Sequence, residues 1–266
     1  MPVGSAVRLR KAGEEEFKAV QYQLNGACFD VHNEHGRLCD ERVYRNLIAR
    51  QCRRRGLDCV FTEVPLLVVH DTFEKKYFLD LLIDGFLIVE LKTVDVLTSE
   101  HRGQVINYLL LSNLSRAKLI NMRSVSVESK TVRMPLTPEE RRELNIRHVD
   151  GDPIGKKGRW FRDTVIDLLE DWGSFLSISL YREAIMHYLG GRDRVETSID
   201  YRQGQTVIAN QRLRMLDHNT AFEITALTDD EQSYEMHLRR MFHHTPLRSI
   251  EWVNINKHDI TFRRIP

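Results

Sequence analysis

The stretch YFLDLLIDGFLIVELK, residues 77–92, is an apolar run broken by Asp80, Glu90 and Lys92. A lone carboxylate is costly to desolvate, so charges at such positions are expected to be paired or to hold a metal ion. Asp84-Gly85 in the middle of the run is a hairpin signal, and the length of its loop decides which way Asp80 faces. A two-residue loop sets Asp80 opposite Val89, on the face away from Glu90 and Lys92. A three-residue loop with Gly85 as a G1 bulge sets Asp80 opposite Ile88, on the face that Glu90 and Lys92 share. The second arrangement is the expectation taken here. It makes the two carboxylates diagonal neighbours with Cβ atoms roughly 7 Å apart, near enough to share a divalent ion.

Two acids on adjacent strands and a lysine beside them are the parts that metal-assisted phosphodiester hydrolysis needs. Hard oxygen ligands hold Mg²⁺, and the ion polarises a phosphate and lowers the pKa of an attacking water. The lysine orients that water or stabilises charge developing on phosphoryl oxygens. The competing reading of these three residues alone is a solvated edge face, which the apolar sequence on both sides argues against.

Outward from this stretch, residues 14–33 and 40–55 carry apolar residues at helical spacing, so two helices open the fold. After Gly56 the pattern becomes β-rich: CVFTEVPLLVV, then the two halves of the hairpin. Ser99 suits a helix N-cap for EHRGQVINYLLLSNL, and AKLINM reads as another buried strand. The order ααβββαβ implies an α/β (α+β) fold, a mixed sheet with helices packed against it.

These residues resemble a known family. DLLIDGFLIVELK, followed by QVINY and LIN and preceded by GRLCDERVY, is similar in order and spacing to the GxxExxY proteins of the PD-(D/E)XK nuclease superfamily, over roughly residues 14–124. The resemblance implies a restriction-endonuclease-like fold in which Asp80, Glu90 and Lys92 are the D and ExK of the nuclease core. Glu41 and Tyr44 become the Glu and Tyr of the family name, and Gln104 and Tyr108 match a QxxxY motif. It implies a Mg²⁺ site, with Mn²⁺ as a substitute, held by Asp80, Glu90 and Glu41. Glu41 is otherwise a solvated first-turn acid stabilised by the helix dipole. Gln104 and Tyr108, one helical turn apart, both face the site, where amide and phenol bond phosphate or the lysine. Tyr44 and Tyr108 are read as mainly structural, with core packing an equal reading of Tyr108. Leu79 stands where the superfamily name has proline, which supplies no catalytic group.

Beyond Arg123, Pro135, Pro138, Pro153 and GKKGRW mark residues 124–160 as a connector, with a short helix around TPEERREL. Residues 161–266 contain echoes of the first domain: LYREAIMHYL of VYRNLIARQC, RLRMLDHNTAFEITALT of YFLDLLIDGFLIVELKT, and HLRRMFHHTPLRSIEWVN of QVINYLLLSNLSRAKLIN. They suggest a second, degenerate copy of the fold, packed on the first as a pseudo-dimer or presenting a substrate surface. Ile178 stands at Glu41, Met215 at Asp80, Thr225 at Glu90, Leu227 at Lys92 and His237 at Gln104. On that alignment every ligand is lost.

With 39 basic and 38 acidic residues the net charge is +1, so no overall positive field marks a nucleic-acid binder. Substrate contact then falls to local clusters: Arg53 and Arg54 in RQCRRRG, RRELNIRH, and Lys156 and Lys157 in GKKGRWFR. The composition, 42% apolar and 29% charged, excludes a disordered or fibrous chain. No signal peptide or membrane span is legible, and the four cysteines form no CxxC pair, so a cytoplasmic protein with free thiols is expected. Cys28, His32, His35 and Cys39 span roughly 16 Å along one helix, too far to surround one zinc ion. The sequence thus leaves two function classes: a nuclease acting on DNA ahead of RNA, alone or with a partner protein, and a non-catalytic nucleic-acid-binding or assembly module that keeps a nuclease fold.

Overall fold

The computed structural model describes residues 3–149 and 155–266, and the chain divides into two units, one ending at Thr137 and the other running from Pro138 to Pro266. The first unit follows the order β1 (Val3–Ser5), α1 (Glu14–His35), α2 (Glu41–Arg54), β2 (Val60–His70), β3 (Phe73–Ile83), β4 (Leu87–Lys92), α3 (Ser99–Ser112), β5 (Arg116–Asn121) and β6 (Glu128–Arg133). Its six strands form one sheet in sequential order. Only β4 and β5 run parallel, joined by α3, and every other neighbour is antiparallel. The mixed sheet flanked by helices agrees with the expected fold class.

Helix α1 buries Phe17, Val20, Leu24, Ala27, Cys28 and Val31, a 3.6-residue stripe, and α2 buries Tyr44, Ile48 and Cys52 one turn apart. Both stripes join Leu81, Ile83, Leu87, Val89 and Leu91 in one core cluster. These are the odd-numbered positions of β3 and β4. The two-residue period of a strand turns the even positions, Asp80 and Glu90 among them, away from that cluster. Tyr44 ties the entry of α2 to the end of α1, its hydroxyl donating to Gly36 O (2.7 Å). Helix α3 is capped by Thr98 rather than Ser99, because the backbone N–H of Thr98 also reaches the His101 ring at 3.0 Å and completes a capping box.

The hairpin has a three-residue loop, as expected, but it consists of Asp84, Gly85 and Phe86, with Ile83 paired to Leu87. The expected register, Asp80 opposite Ile88, is therefore corrected by two residues: the ladder runs Ile83–Leu87, Leu82–Ile88, Leu81–Val89 and there it stops. Gly85 has φ +71°, and a Cβ on it would come within 2.5 Å of Arg8 O, so the loop holds a glycine here.

The expected connector over 124–160 does not exist as such. Strand β6 completes the first sheet, a short 3₁₀ turn spans Glu140–Arg142, and β7 (Asn145–Val149) belongs to the second unit. Pro153 lies outside the described residues. The second unit continues with α4 (Gly155–Trp172), α5 (Ile178–Tyr188), α6 (Arg192–Val195), β8 (Glu196–Gln203), β9 (Thr206–Arg214), β10 (Thr220–Thr225), α7 (Glu231–His243), β11 (Ser249–Asn256) and β12 (Asp259–Ile265). Its main sheet has the order β10-β11-β12-β7, with β10 and β11 parallel, while β8 and β9 form a separate ribbon.

Two local contacts recur between the units. Tyr181 Oη donates to Gly173 O, eight residues back, as Tyr44 does to Gly36. Asn121 on β5 accepts from Val94 N (3.2 Å) and donates to Val94 O (2.7 Å), and Asn254 on β11 does the same to Leu227 N (2.7 Å) and O (3.0 Å). β4 pairs Lys92 with Asn121 and β10 pairs Thr225 with Asn254, so an alignment of the two units on these asparagines would put Thr225 at the Lys92 position and Glu223 at the Glu90 position. The bridge Met215–Ala221 then corresponds to Leu82–Ile88. Leu213, not Met215, falls at Asp80, and Leu227 falls at Val94. Ile178 keeps its place at Glu41, three residues before the tyrosine.

Each asparagine clamps the strand exit that follows its site strand. Asn121→Ala is expected to destabilise the first unit by about 1–2 kcal/mol, and Asn254→Ala the second by a similar amount, because Val94 N–H and C=O and Arg123 N–H lose their partner in the first and Leu227 N–H and C=O in the second. Urea denaturation of each variant measures this. Unchanged midpoints would show that water replaces the clamp without loss.

Candidate metal-binding nuclease site

The site lies where β3 and β4 part. Beyond Leu81–Val89, β3 keeps pairing with β2 while β4 continues along β5 to Lys92. The fork leaves the backbone N–H of Leu91 without a strand partner on the β3 side. Asp80 fills the gap: its Oδ2 accepts from Leu91 N at 2.9 Å, and the residue is 8% exposed. Asp80 is the next residue of β3 after the last pair and Glu90 the next of β4, so the two carboxylates stand level across the fork rather than diagonal.

Glu90 is 2% exposed. Its Oε1 accepts from Lys92 Nζ at 2.6 Å, and its Oε2 has no hydrogen-bond partner among the described residues. Burial, and then the neighbouring Asp80, push its pKa up to about 8 against the opposing pull of Lys92. Burial works against the charge of Lys92, yet Glu90, Glu41 and Asp80 together raise its pKa above the ordinary lysine value. Glu41, in the first turn of α2, comes to 3.8 Å from Lys92 Nζ, and burial raises its pKa as well. Gln104 Nε2 donates to Tyr108 Oη (2.8 Å). Tyr108 is itself raised to about 12 by burial and then by Glu90, so α3 does present this pair toward the site.

The structure therefore brings Glu41, Asp80, Glu90, Lys92, Gln104 and Tyr108 into one neighbourhood, with two corrections. Among the described residues no three Asp, Glu, His or Cys groups converge at metal-ligand spacing. Glu41 reaches the carboxylate pair through Lys92 and does not complete a three-carboxylate cage with it. Arg53 and Arg54 lie at the C-terminal end of α2, roughly 18 Å along the helix from Glu41. The Arg53 guanidinium instead bonds Val60 O, and Arg54 bonds Gln51. Lys156 and Lys157 belong to α4 of the second unit, where Lys157 sits over the Trp160 ring.

Two residues of the site escaped the sequence reading. Arg45, one turn after Glu41, is buried between Asp80 Oδ1 (3.4 Å) and Glu63 Oε1 (2.9 Å). Glu63 stands in β2 between the pairs Thr62–Leu81 and Val64–Leu79, level with Asp80, and takes φ +52°. A positive φ costs a non-glycine residue about 1–2 kcal/mol. The periodicity of α2 could have flagged Arg45, a charge beside the buried Tyr44, but nothing in VFTEVPLL announces a left-handed residue in mid-strand.

An oxygen-only donor set suits Mg²⁺ or Mn²⁺, and Mg²⁺ needs only one or two carboxylates because it keeps several waters. The orphaned, buried Glu90 Oε2 beside Asp80 fits such an ion. In the metal-free protein the fit has a measurable consequence. A carboxyl group whose folded pKa lies near 8, above its ordinary 4.5, keeps in the folded state a proton that the unfolded chain releases. Stability should therefore fall as pH rises between those values, and Glu90→Gln should flatten that decline. Urea midpoints in EDTA at several pH values test this. Equal slopes in both proteins would contradict the placement of Glu90.

Residues 18–134 match the sequence model of a family described as the PD-(D/E)XK nuclease superfamily, a span that runs to the end of β6. No curated protein matches the chain. A solved structure titled "Crystal structure of SSO0001" aligns at 15% identity over 47% of this chain and 79% of that one, with a TM-score of 0.26. The match to the PD-(D/E)XK nuclease superfamily covers residues 18–134, somewhat under half of the chain.

Proposed function

We propose that the first unit is a metal-dependent nuclease of the GxxExxY kind, hydrolysing phosphodiester bonds with Mg²⁺ or Mn²⁺ held by Asp80 and Glu90. The observation that carries this reading is Glu90 Oε2: a carboxylate oxygen buried without a partner among the described residues, next to a second carboxylate and a lysine. A bound divalent ion would supply Lewis acidity at the phosphate and a water of lowered pKa. Lys92 is held by Glu90 and faced by Glu41, so its ammonium is fixed where it can orient the attacking water or stabilise a phosphoryl oxygen. Glu41 steadies Lys92 and adds an outer carboxylate. The Gln104–Tyr108 pair offers an amide and a phenol to substrate at the wall beside Glu90. DNA is placed ahead of RNA as substrate, following the family resemblance.

The second unit is read as a copy of the same fold without catalysis. Support comes from its order of elements, from the repeated tyrosine and asparagine contacts, and from strand register. Register leaves it one site carboxylate, Glu223, and this residue is already taken: Arg182 reaches one oxygen at 2.5 Å and Arg214 the other at 3.0 Å. Leu213 and Thr225 replace the other carboxylate and the lysine.

The test is calorimetric titration of Mg²⁺ and Mn²⁺ into wild type and an Asp80→Asn, Glu90→Gln variant, followed by incubation of both with single- and double-stranded DNA and with RNA. Asparagine keeps an acceptor for Leu91 N–H, so the variant should fold. Metal binding and cleavage in wild type alone are expected, with at least a hundredfold loss of cleavage in the variant. Equal cleavage by both would refute the assignment, and nucleic-acid binding without metal binding in wild type would favour a non-catalytic module.

A further inference from the structure

We propose that Arg45 is a resident counter-cation that competes with the divalent ion for Asp80, and that Glu63 is the positioning residue that holds it back. The inference rests on the metal-site reading above. Asp80 has one oxygen committed to Leu91 N–H, so Oδ1 is the oxygen left to a metal ion, and Oδ1 is the atom Arg45 faces. A guanidinium and a divalent ion at one oxygen repel each other, and in a buried site little water screens them.

The geometry shows Arg45 divided. Its contact with Asp80 is long at 3.4 Å, its contact with Glu63 is close at 2.9 Å, and its Nε has no hydrogen-bond partner among the described residues. Glu63 reaches it from the opposite strand through the left-handed turn of its own backbone. Strain at this point has a purpose if the carboxylate must stand where it draws the guanidinium away from Asp80.

The second unit has an arginine at the matching helix position bound to a different carboxylate, the one that falls at Glu90. Arg182 follows Tyr181 as Arg45 follows Tyr44, and Arg182 bonds the remaining site carboxylate, Glu223, at 2.5 Å. Arg214 occupies the other Glu223 oxygen. With an arginine on each of its oxygens, Glu223 has none left for a cation.

The experiment is calorimetric titration of Mn²⁺ into full-length wild type, Glu63→Gln, Glu63→Asp, Arg45→Gln and the Arg45→Gln, Glu63→Gln double variant. Glu63→Gln should weaken Mn²⁺ binding about tenfold, because the arginine is freed to lean on Asp80. Glu63→Asp keeps the charge and should bind more tightly than Glu63→Gln. Arg45→Gln should bind at least as tightly as wild type, and the double variant should match Arg45→Gln. A double variant as weak as Glu63→Gln would overturn the proposal, since Glu63 would then act on the metal by its own charge. Weaker binding by Arg45→Gln would overturn it too, as would equal weakness of the two Glu63 variants should Arg45→Gln not fold. Those results leave wild-type metal binding intact, whereas no Mn²⁺ binding by wild type would remove the metal-site reading and this proposal with it.

Discussion

The first unit is organised by the burial of Glu90 on a strand whose other residues, Lys92 aside, are apolar. A carboxylate at 2% exposure is unfavourable in a sheet unless neighbouring groups compensate for its lost hydration. Everything around it serves that need in part. Lys92 bonds one oxygen, Glu41 faces Lys92, and Asp80 is held on the far side of the fork by Leu91 N–H and Arg45. The compensation is incomplete, because Asp80 adds negative charge beside Glu90 and Oε2 has no partner among the described residues. That residual imbalance is what a divalent cation would relieve.

The fork is what makes this arrangement possible. In a continuous antiparallel ladder, Leu91 N–H would pair with β3 backbone and Asp80 would face a filled sheet. Ending the ladder at Leu81–Val89 frees the donor, and a side-chain carboxylate takes the place of a main-chain carbonyl. The three-residue loop sets the register that brings Asp80 level with Glu90, and Gly85 permits the loop where Arg8 passes close to it. Fold and site are thus linked through a few residues of one hairpin.

Much of this was legible in the sequence, because hairpin chemistry and strand alternation are local. The Asp84-Gly85 signal located the turn, and the parity of 80, 90 and 92 placed the three charged residues on one face whichever three-residue loop was chosen. The register itself was misjudged by two residues, since glycine in a three-residue loop can take the middle position as well as the last. Strand β6 and β7 were missed because ESKTVR and NIRHV are largely polar, and their pairing depends on neighbours far along the chain. The basic run at Arg53 and Arg54 suggested substrate contact, but helix length separates it from Glu41. Arg45 and Glu63 act through tertiary contacts that no spacing rule contains. In the second unit the proposed echo of the first, if aligned on Asn254 and Asn121 rather than on the text alone, shifts by two residues and sets Glu223 at the Glu90 position.

The central claim is that Asp80 and Glu90 hold a divalent cation and that Glu223 does not. Anomalous diffraction from crystals of the full chain grown with Mn²⁺ tests it directly. The account predicts a manganese peak beside Asp80 and Glu90, with Arg45 turned toward Glu63, and no peak at Glu223. A peak at Glu223, or none between the two acids at saturating Mn²⁺, would contradict it.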